Sequence, residues 1–192
     1  MIEADRYDIC WLDSVESTND QVKLTLDSLK NLSVLAAHNQ TSGRGQRGHT
    51  WLTEPRLNLT FSVVLKYDEA LLQVEAINQV AISQLTASTM VDLLSEYGIN
   101  AKIKLPNDIY VGTDKICGIL IENTIRGKYL LYSIIGIGLN VNQTVFDPSL
   151  PNPTSMRLCL PSLDQDLDLE AILEKFMEIF IRHLHQTLKL EL

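Results

Sequence analysis

The sequence predicts an α+β fold with a mixed, mostly antiparallel sheet and flanking helices. Short segments rich in β-branched and aromatic residues, separated by turns, predict strands through much of the chain. Two longer segments, 69–97 and 164–190, are predicted as helices. Strands and helices do not alternate strictly, which argues against a series of βαβ units. The 192 residues fit a single domain over 1–192.

The elements follow one another in a simple order. A strand at 7–12 precedes a helix that begins near Ser17 and Thr18, which are capping candidates, and ends near Lys30. Next come a buried strand at 33–38, a loop at 40–55, a strand at 57–66 and the first long helix, with Gly98 as its C-cap. Strands follow at 101–105, 109–111, 115–125 and 128–141, with a hairpin turn at 126–127. A loop at 142–161, which holds four of the six prolines, precedes the final helix, whose apolar face includes Phe176 and Phe180.

Composition and charge exclude several classes of protein. The chain is 45% hydrophobic and 21% charged, and its net charge of −8 disfavours a DNA partner, because phosphates repel an acidic protein. The cysteines Cys10, Cys117 and Cys159 form no CxxC pair, which argues against a disulfide scaffold and a zinc site. The chain starts without an apolar signal core and contains no membrane-spanning run, so we expect a soluble, cytoplasmic protein.

The loop GRGQRGHTW at 43–51 is the most informative segment. Its three glycines allow close backbone approach to a ligand, and its two arginines suit a carboxylate or a phosphate. No acidic residue lies between Asp27 and Glu54, so the loop is a positive island that favours a small anionic ligand. A dinucleotide fingerprint would need a helix directly afterwards, which Pro55 disfavours. A solvated surface loop is the plainer alternative, but an exposed Trp51 would be unusual in one.

Three further motifs carry polar groups on strands. They are KLPND at 104–108, Lys115 at the head of an apolar strand with Gly118 inside it, and GIGLNVN at 136–142. Each alone fits an ordinary turn, an exposed strand end or a sheet thinned for helix packing. Together with the Gly-Arg loop they suit a carboxylate and a nucleotide bound side by side. Cys117 is predicted to be buried core, and His183 and His185 are predicted to lie on the surface.

These motifs resemble those of a known family. STN at 17–19, GRGQRGHTW, KLPNDIYV at 104–111, KICGILIE at 115–122 and GIGLNVN are similar in order and spacing to biotin–protein ligases, that is, biotin–[acetyl-CoA-carboxylase] ligases, with a weaker echo at 153–156. The resemblance implies a class II aminoacyl-tRNA synthetase/biotin synthetase-like fold. It implies that biotin and ATP, with Mg²⁺, form biotinyl-5'-AMP, from which biotin passes to a lysine of a biotin carboxyl carrier protein or domain.

The resemblance also implies roles for individual residues. The catalytic candidates are Lys115, Arg47 and Arg44. The biotin-binding candidates are Ser17, Thr18, Asn19, Gln40, Arg44, Gly45, Gln46, Lys115, Gly118 and Gly136. The ATP-binding candidates are Arg47, Gly48, His49, Thr50, Trp51, Lys104, Asn107 and Asn140, and no resident metal site is expected. Many family members carry arginine at position 46, where it is linked to holding the adenylate, so Gln46 shifts weight to Arg44, Arg47 and Lys115.

Other features of the resemblance concern domains and partners. We expect a single catalytic domain without the family's N-terminal winged helix-turn-helix and with its small C-terminal β-barrel absent or truncated. An exposed strand edge could serve either a homodimer or the docking of the carrier. The alternatives are a lipoate or other acyl-carrier ligase that uses the same adenylation, and a non-catalytic sensor of biotin or nucleotide.

Overall fold

A computed structural model of the chain describes residues 7–67, 74–106 and 108–188. Within them the strands are β1 (Ile9–Leu12), β2 (Val34–Ala37), β3 (Leu59–Lys66), β4 (Ala101–Lys104), β5 (Asp108–Val111), β6 (Asp114–Arg126) and β7 (Tyr129–Leu139). The α-helices are α1 (Thr18–Thr25), α2 (Gln79–Glu96), α3 (Met156–Cys159) and α4 (Leu169–Leu188). The element order matches the sequence prediction at every strand.

All seven strands form one sheet in the order β1-β2-β3-β7-β6-β5-β4. Only the β1–β2 pair is parallel, and the other pairs are antiparallel. The long β6–β7 hairpin turns at Gly127, which has a φ of +63°. The prediction of a mixed, mostly antiparallel sheet in an α+β fold is therefore confirmed.

The two faces of the sheet carry different helices. Ile135, Ile137 and Leu139 of β7 belong to the large core that also contains buried side chains of α2 and α4. Ile134, on the opposite face, packs with Val22 of α1 in a smaller cluster. Because side chains alternate along a strand, Gly136 and Gly138 share the α1 face. None of the helices in the described ranges is long and apolar enough to cross a bilayer.

Three predicted helix boundaries are wrong. The helix predicted from residue 69 begins at Gln79. The Ala76 N–H donates to the Lys128 carbonyl and the Leu130 N–H donates to the Val74 carbonyl, and these bonds hold the chain around residue 75 extended. Residues 69–73 lie outside the described ranges. The last helix begins at Leu169 rather than at 164, because the Asp168 carboxylate accepts the free backbone N–H groups of residues 170 and 171. The predicted loop at 142–161 contains α3, capped by Ser155.

We predicted that His183 lies on the surface, and this prediction is wrong. Its side chain is 16% exposed and links the two helices that cover the core. Its Nδ1 lies 3.1 Å from Thr89 Oγ1, and its Nε2 lies 3.0 Å from the Asp92 carboxylate. The sequence could not predict this pairing, because the spacing of residues within each helix does not show which residues of two helices face each other.

We expect His183→Ala to lower the free energy of unfolding by about 1 kcal/mol, the usual net value of a hydrogen bond between partly buried groups. Urea denaturation of the purified variant measures the change. Gln186→Ala, which truncates an exposed side chain one turn further along α4, is the matched control and should leave the midpoint unchanged. Equal midpoints for both variants would contradict a structural role for the His183 link.

Candidate functional site

A cavity of about 250 Å³ lies on the α1 face of the sheet, between β6, β7, the start of α1 and the Gly-Arg loop. Fourteen predicted site residues line it: Ser17, Thr18, Asn19, Gln40, Arg44, Gly45, Gln46, Arg47, His49, Thr50, Trp51, Lys115, Gly118 and Gly136. Sequence reasoning missed six others: Pro106, Asp108, Ile119, Leu120, Ile137 and Gly138. The period-2 pattern of β6 and β7 could have identified Leu120 and Gly138, because they follow Gly118 and Gly136 on the same face.

Three predicted residues do not line the cavity, and a fourth is not tested. Gly48 lies at the tip of the loop with a φ of +79°, and Lys104 lies on exposed β4 with its Nζ 4.3 Å from the centre of the Tyr110 ring. Asn140 is buried at the end of β7 and does not line the cavity. Asn107 lies outside the described residues. The structure thus brings the biotin candidates together more completely than the ATP candidates.

One end of the cavity is a wall of buried hydroxyl and amide groups. The Thr18 backbone N–H donates to Gln40 Oε1 at 2.7 Å. Three oxygen–oxygen contacts join the side chains: Thr18 to Gln40 at 3.1 Å, Ser62 to Thr18 at 2.7 Å and Ser62 to Asn19 Oδ1 at 2.6 Å. The hydroxyls of Thr18 and Ser62 supply only two hydrogens for these three contacts. The wall therefore has spare acceptor capacity and suits a ligand that brings N–H groups.

A cluster of charges closes this end from behind. The Glu122 carboxylate accepts hydrogen bonds from Arg44 Nη2 at 2.6 Å, Asn19 Nδ2 at 2.9 Å and Lys23 Nζ at 2.8 Å. Arg44 Nε also pairs with Asp20 at 3.0 Å. Burial by itself raises the pKa of Glu122, but the hydrogen bonds from Lys23, Asn19 and Arg44 outweigh it, so the pKa lies below its ordinary value. Glu122 is thus ionised at neutral pH.

The Gly-Arg loop folds back on itself as a hairpin. Trp51 N–H donates to the Gly43 carbonyl at 2.8 Å, and Gly45 N–H donates to the His49 carbonyl at 2.6 Å. A Cβ at Gly43 would collide with the Trp51 carbonyl, so the base of the hairpin requires glycine. At the tip, Arg47 has a φ of +54°, a left-handed conformation that costs a non-glycine residue about 1 kcal/mol or more. Such local strain is typical of functional loops.

The indole of Trp51 covers the glycines of β6 and β7. Gly118 and Gly138 are cross-strand partners, and a Cβ on either would meet the Trp51 ring. The Trp51 Nε1 is buried without a hydrogen-bond partner. The space that these glycines leave on the sheet is therefore filled by the indole of Trp51, and β6 and β7 pair without a register shift at Gly118.

Replacing Gly138 with alanine should displace Trp51 and open the hairpin. Overpacking of this kind costs about 1–3 kcal/mol, enough to raise the open population about five-fold or more. Limited trypsin digestion measures it through cleavage after Arg44 and Arg47. Gly98→Ala is the control, because it strains a backbone with a φ of +77° while a Cβ there would meet no atom within 4 Å. Equal cleavage rates in the two variants would show that Trp51 does not hold the loop closed.

Lys115 forms the cationic end of the cavity. Its Nζ lies 2.7 Å from Asp108 Oδ1 and 5.5 Å from the centre of the Trp51 ring. The Lys115 backbone is fixed on both sides, since its N–H donates to the Asn152 carbonyl and its own carbonyl accepts from Thr154 N–H. The 153–156 motif thus has a clear structural task, which is to hold the head of β6 in place.

Asn140 follows Gly136 and Gly138 on the same strand face. Its Nδ2 donates to the Thr154 carbonyl at 2.9 Å, which fixes the orientation of the amide. Its Oδ1 is buried and has no hydrogen-bond partner. A buried acceptor without a partner is costly, and it marks a position where a ligand donor would be stabilised.

Further groups with reactive potential in the described part of the chain are the Cys117 thiol and the side chains that can bind metals. Cys117 is fully buried, as predicted, and burial raises the pKa of its thiol far above its ordinary value. No group of three or more His, Cys, Asp or Glu side chains within the described ranges is placed to hold a metal ion.

Comparisons with known proteins identify the family of this chain. Residues 11–140 match the family described as the biotin/lipoate A/B protein ligase family. Biotin–protein ligase 2 of Arabidopsis thaliana is 30% identical over 186 residues, which are 94% of this chain and 55% of that protein. The bifunctional ligase/repressor BirA of Escherichia coli strain K12 is 26% identical over 151 residues, covering 78% of this chain and 46% of that protein. The chain therefore spans about half the length of these relatives.

Solved structures share the fold. The biotin protein ligase from Aquifex aeolicus in complex with biotin and ATP superposes with a TM-score of 0.79 at 26% identity, over 96% of this chain and 73% of that one. The Leishmania major biotin protein ligase in complex with biotinyl-5-AMP, at 24% identity, has a TM-score of 0.68 over 93% of this chain and 75% of that one. The class II synthetase-like catalytic fold that the sequence predicted is confirmed.

Proposed function

The chain belongs to the biotin/lipoate A/B protein ligase family, and from this premise we propose that residues 1–192 are the catalytic domain of a biotin–protein ligase. The enzyme joins biotin and ATP as biotinyl-5'-AMP, releases pyrophosphate, and transfers biotin to a lysine of a carrier protein. One observation carries the proposal: a single cavity has a wall with spare hydrogen-bond acceptors at one end and Lys115 at the other.

The acceptor-rich wall fits the ureido ring of biotin. That ring presents two N–H donors and one carbonyl acceptor. The three contacts among the oxygens of Thr18, Gln40, Ser62 and Asn19 share only two hydroxyl hydrogens, so one acceptor oxygen is left for a donor of the ligand. Ser17, 3% exposed and lining the cavity, supplies a hydroxyl for the ring carbonyl. The dithiolane ring of lipoate has no N–H group and would leave the wall's spare acceptor unsatisfied. We therefore favour biotin over lipoate as the acid.

The other end fits the carboxylate and the nucleotide. The biotin chain would lead from the wall towards Lys115, where Arg47 also lines the cavity. Among the described residues, Trp51 Nε1 and Asn140 Oδ1 are buried polar atoms without hydrogen-bond partners. They offer a donor and an acceptor to ATP, and because Asn140 lies outside the cavity lining, the nucleotide would extend beyond the cavity to reach it. Gly48, His49, Thr50, Lys104 and Asn107 remain proposals for the nucleotide side, and Gln40, Gly45, Gln46, Gly118 and Gly136 for the biotin side.

The first step brings two anions together. A carboxylate oxygen of biotin attacks the α-phosphorus of ATP, the bond to the β-phosphate oxygen breaks, and pyrophosphate leaves with the bond's electrons. Lys115 and Arg47 offset the growing charge on the phosphoryl oxygens, which is worth several kcal/mol in a site that excludes water. Lys115 is already paired with Asp108, so the incoming phosphates compete with that carboxylate for the same ammonium.

Mg²⁺ would arrive with the phosphates of ATP. The ion is usually bound by one or two carboxylates together with substrate oxygens, and it neutralises phosphate charge. Asp108 is the only carboxylate among the described cavity-lining residues and is our choice to hold it. This donor set fits an ion carried by the substrate, since the described residues form no protein cage for one.

The second step needs a carrier. The amine of the carrier's lysine attacks the biotinyl carbonyl, an amide bond forms, and AMP leaves with the electrons of the broken acyl–phosphate bond. The hairpin over β6 and β7 shields the adenylate from water until then. β4 is an edge strand of the sheet, and we propose that it receives either the carrier or a second copy of the chain.

The test is biotin-dependent exchange of labelled pyrophosphate into ATP. Adenylation is reversible, so exchange should appear with biotin and Mg-ATP and should be absent with biotin methyl ester, which keeps the ureido ring but lacks the attacking oxygen. Equal exchange with the ester or without any acid would contradict the proposal. Biotin binding without exchange would favour a non-catalytic sensor.

A further inference from the structure

Glu122 lies outside the cavity lining, yet it joins the segments that build the biotin end. Its Oε2 accepts from Asn19 of α1 at 2.9 Å and from Arg44 of the Gly-Arg loop at 2.6 Å. Its Oε1 accepts from Lys23 of α1 at 2.8 Å. A single carboxylate on β6 thereby ties together a helix, a loop and the sheet.

The contact with Asn19 fixes an amide that forms part of the wall. Asn19 Nδ2 donates both to Glu122 and, at 3.3 Å, to the Leu120 carbonyl, while its Oδ1 accepts from Ser62. The amide also lies against Gly136, where a Cβ would collide with it. Its position is therefore set by hydrogen bonds on both atoms, and Glu122 supplies the one that carries full charge.

The ion pair with Glu122 limits the role of Arg44 in catalysis. Its guanidinium gives one nitrogen to Glu122 and another to Asp20, so two carboxylates already balance its charge. Its backbone bridges to Thr50 across the base of the hairpin. Arg44 therefore anchors the stem of the loop, and charge stabilisation at the phosphates is left to Arg47 and Lys115.

We propose that Glu122 is a positioning residue for biotin: it holds the Asn19 amide and the Arg44 stem in the geometry that the ureido ring requires. This inference deepens the proposed function and rests on it. Glu122 touches no substrate and acts through these two partners. Its loss should weaken biotin binding while the chemical step at Lys115 proceeds.

Glu122→Gln is the principal variant. In glutamine only the carbonyl oxygen accepts, with two lone pairs, so the side chain cannot accept from Asn19, Arg44 and Lys23 together. Its neutral oxygen also binds Asn19 and Arg44 more weakly than a carboxylate does. We expect the Kd and KM for biotin to rise by about ten-fold, as expected for loss of a charge-assisted hydrogen bond. The KM for ATP and the kcat for pyrophosphate exchange at saturating biotin should stay within about two-fold of wild type.

Asp20→Asn is the matched control. Asp20 pairs with both Arg44 and Lys23, like Glu122, but it is not among the hydrogen-bond partners of the Asn19 amide, which are Leu120, Glu122 and Ser62. If the wall is what matters, this variant should change biotin affinity by less than about two-fold, since its ion pairs are solvent-exposed. Glu122→Asp keeps the charge and should recover part of the lost affinity, which separates the positioning role from a general loss of folding.

Stability provides a second readout. Glu122 has a pKa below the ordinary value, so its interactions with Lys23, Asn19 and Arg44 stabilise the folded state at pH values above that ordinary value. That stability is lost as the pH falls through the folded-state pKa of Glu122, whose charged neighbours in the cluster are Lys23, Arg44 and Asp20. Wild type should therefore be more stable than Glu122→Gln at pH 7, and the difference should shrink in acid.

The decisive experiment is isothermal titration of biotin into wild type and the three variants, paired with exchange kinetics. The expected result is weaker biotin binding in Glu122→Gln, a smaller loss in Glu122→Asp and almost none in Asp20→Asn, with unchanged kcat. Unchanged affinity, equal losses in Glu122→Gln and Asp20→Asn, or a fall in kcat with unchanged biotin KM would overturn the inference. If wild type itself bound no biotin, the proposed function would be overturned as well. Failure of the proposed function would therefore be seen in wild type, whereas failure of the Glu122 inference alone would be seen only in the variants.

Discussion

Replacing Lys115 with alanine should lower the rate of biotinyl-AMP formation by about 100-fold or more. Lys115 is the cation fixed at the end of the cavity, and removing one preorganised charge-stabilising group from an active site costs about 10²–10³ in rate. Single-turnover formation of the adenylate at saturating biotin and Mg-ATP measures the chemical step directly. Lys30→Ala, which truncates an exposed lysine paired only weakly with Asp8 at 4.0 Å, is the control and should be fully active.

A second variant separates two explanations of that loss. Without Lys115, Asp108 would stand unpaired in the cavity and would repel the phosphates of ATP. If repulsion were the whole effect, Lys115→Ala with Asp108→Ala would be as active as Asp108→Ala alone. We expect the double variant to be slower than Asp108→Ala alone, because the cation that stabilises the transition state is still missing. Near-normal adenylate formation in Lys115→Ala alone would remove Lys115 from the mechanism.

Asn140 should make the enzyme choose ATP over GTP by about 100-fold in kcat/KM. Its amide orientation is fixed by the Thr154 carbonyl, which leaves Oδ1 as an unpaired buried acceptor. Adenine presents an amino group at C6 where guanine presents a carbonyl oxygen, so a purine whose C6 edge faces this atom can donate to it from C6 only if it is adenine. Mismatching a buried hydrogen-bonding site is expensive. Asn140→Ala should reduce the preference to about ten-fold or less, as measured by pyrophosphate exchange with each nucleotide.

Asn142 provides the control for Asn140. Both atoms of its amide are engaged with the backbone of Leu167, so it has no acceptor to offer a ligand. Asn142→Ala should lower the melting temperature and leave the ATP/GTP ratio unchanged. An ATP preference that survives Asn140→Ala would show that another group reads the purine.

The fold was largely predictable because its signals are local. Each strand contains β-branched residues, most strands are short, and the apolar spacing of α4 matches its buried face at Ile172, Phe176 and Phe180. The start of α2 was misplaced because tertiary contacts override propensity there. Residues 74–76 pair with the backbone of residues 128–130, and this partner lies more than fifty residues away in sequence.

The site was predictable in part for a related reason. The residues of the Gly-Arg loop, Lys115 and Gly136 lie in motifs whose composition is unusual by itself. Glu122 and Ser62 are ordinary strand residues, and their role depends on which strands are neighbours: β3 and β6 both flank β7. The direction of the Asn140 amide and the use of Trp51 to cover Gly138 are likewise three-dimensional facts that no local pattern contains.

The central claim is that this cavity activates biotin, and a competition experiment tests it most directly. The protein is incubated with Mg-ATP and equal amounts of biotin and lipoate, and the acyl-adenylates are identified by mass spectrometry. Our account predicts biotinyl-AMP with no detectable lipoyl-AMP, because only biotin carries the N–H groups that the wall of Thr18, Asn19 and Ser62 can accept. Lipoyl-AMP as the main product, or biotin bound with no adenylate formed, would contradict it.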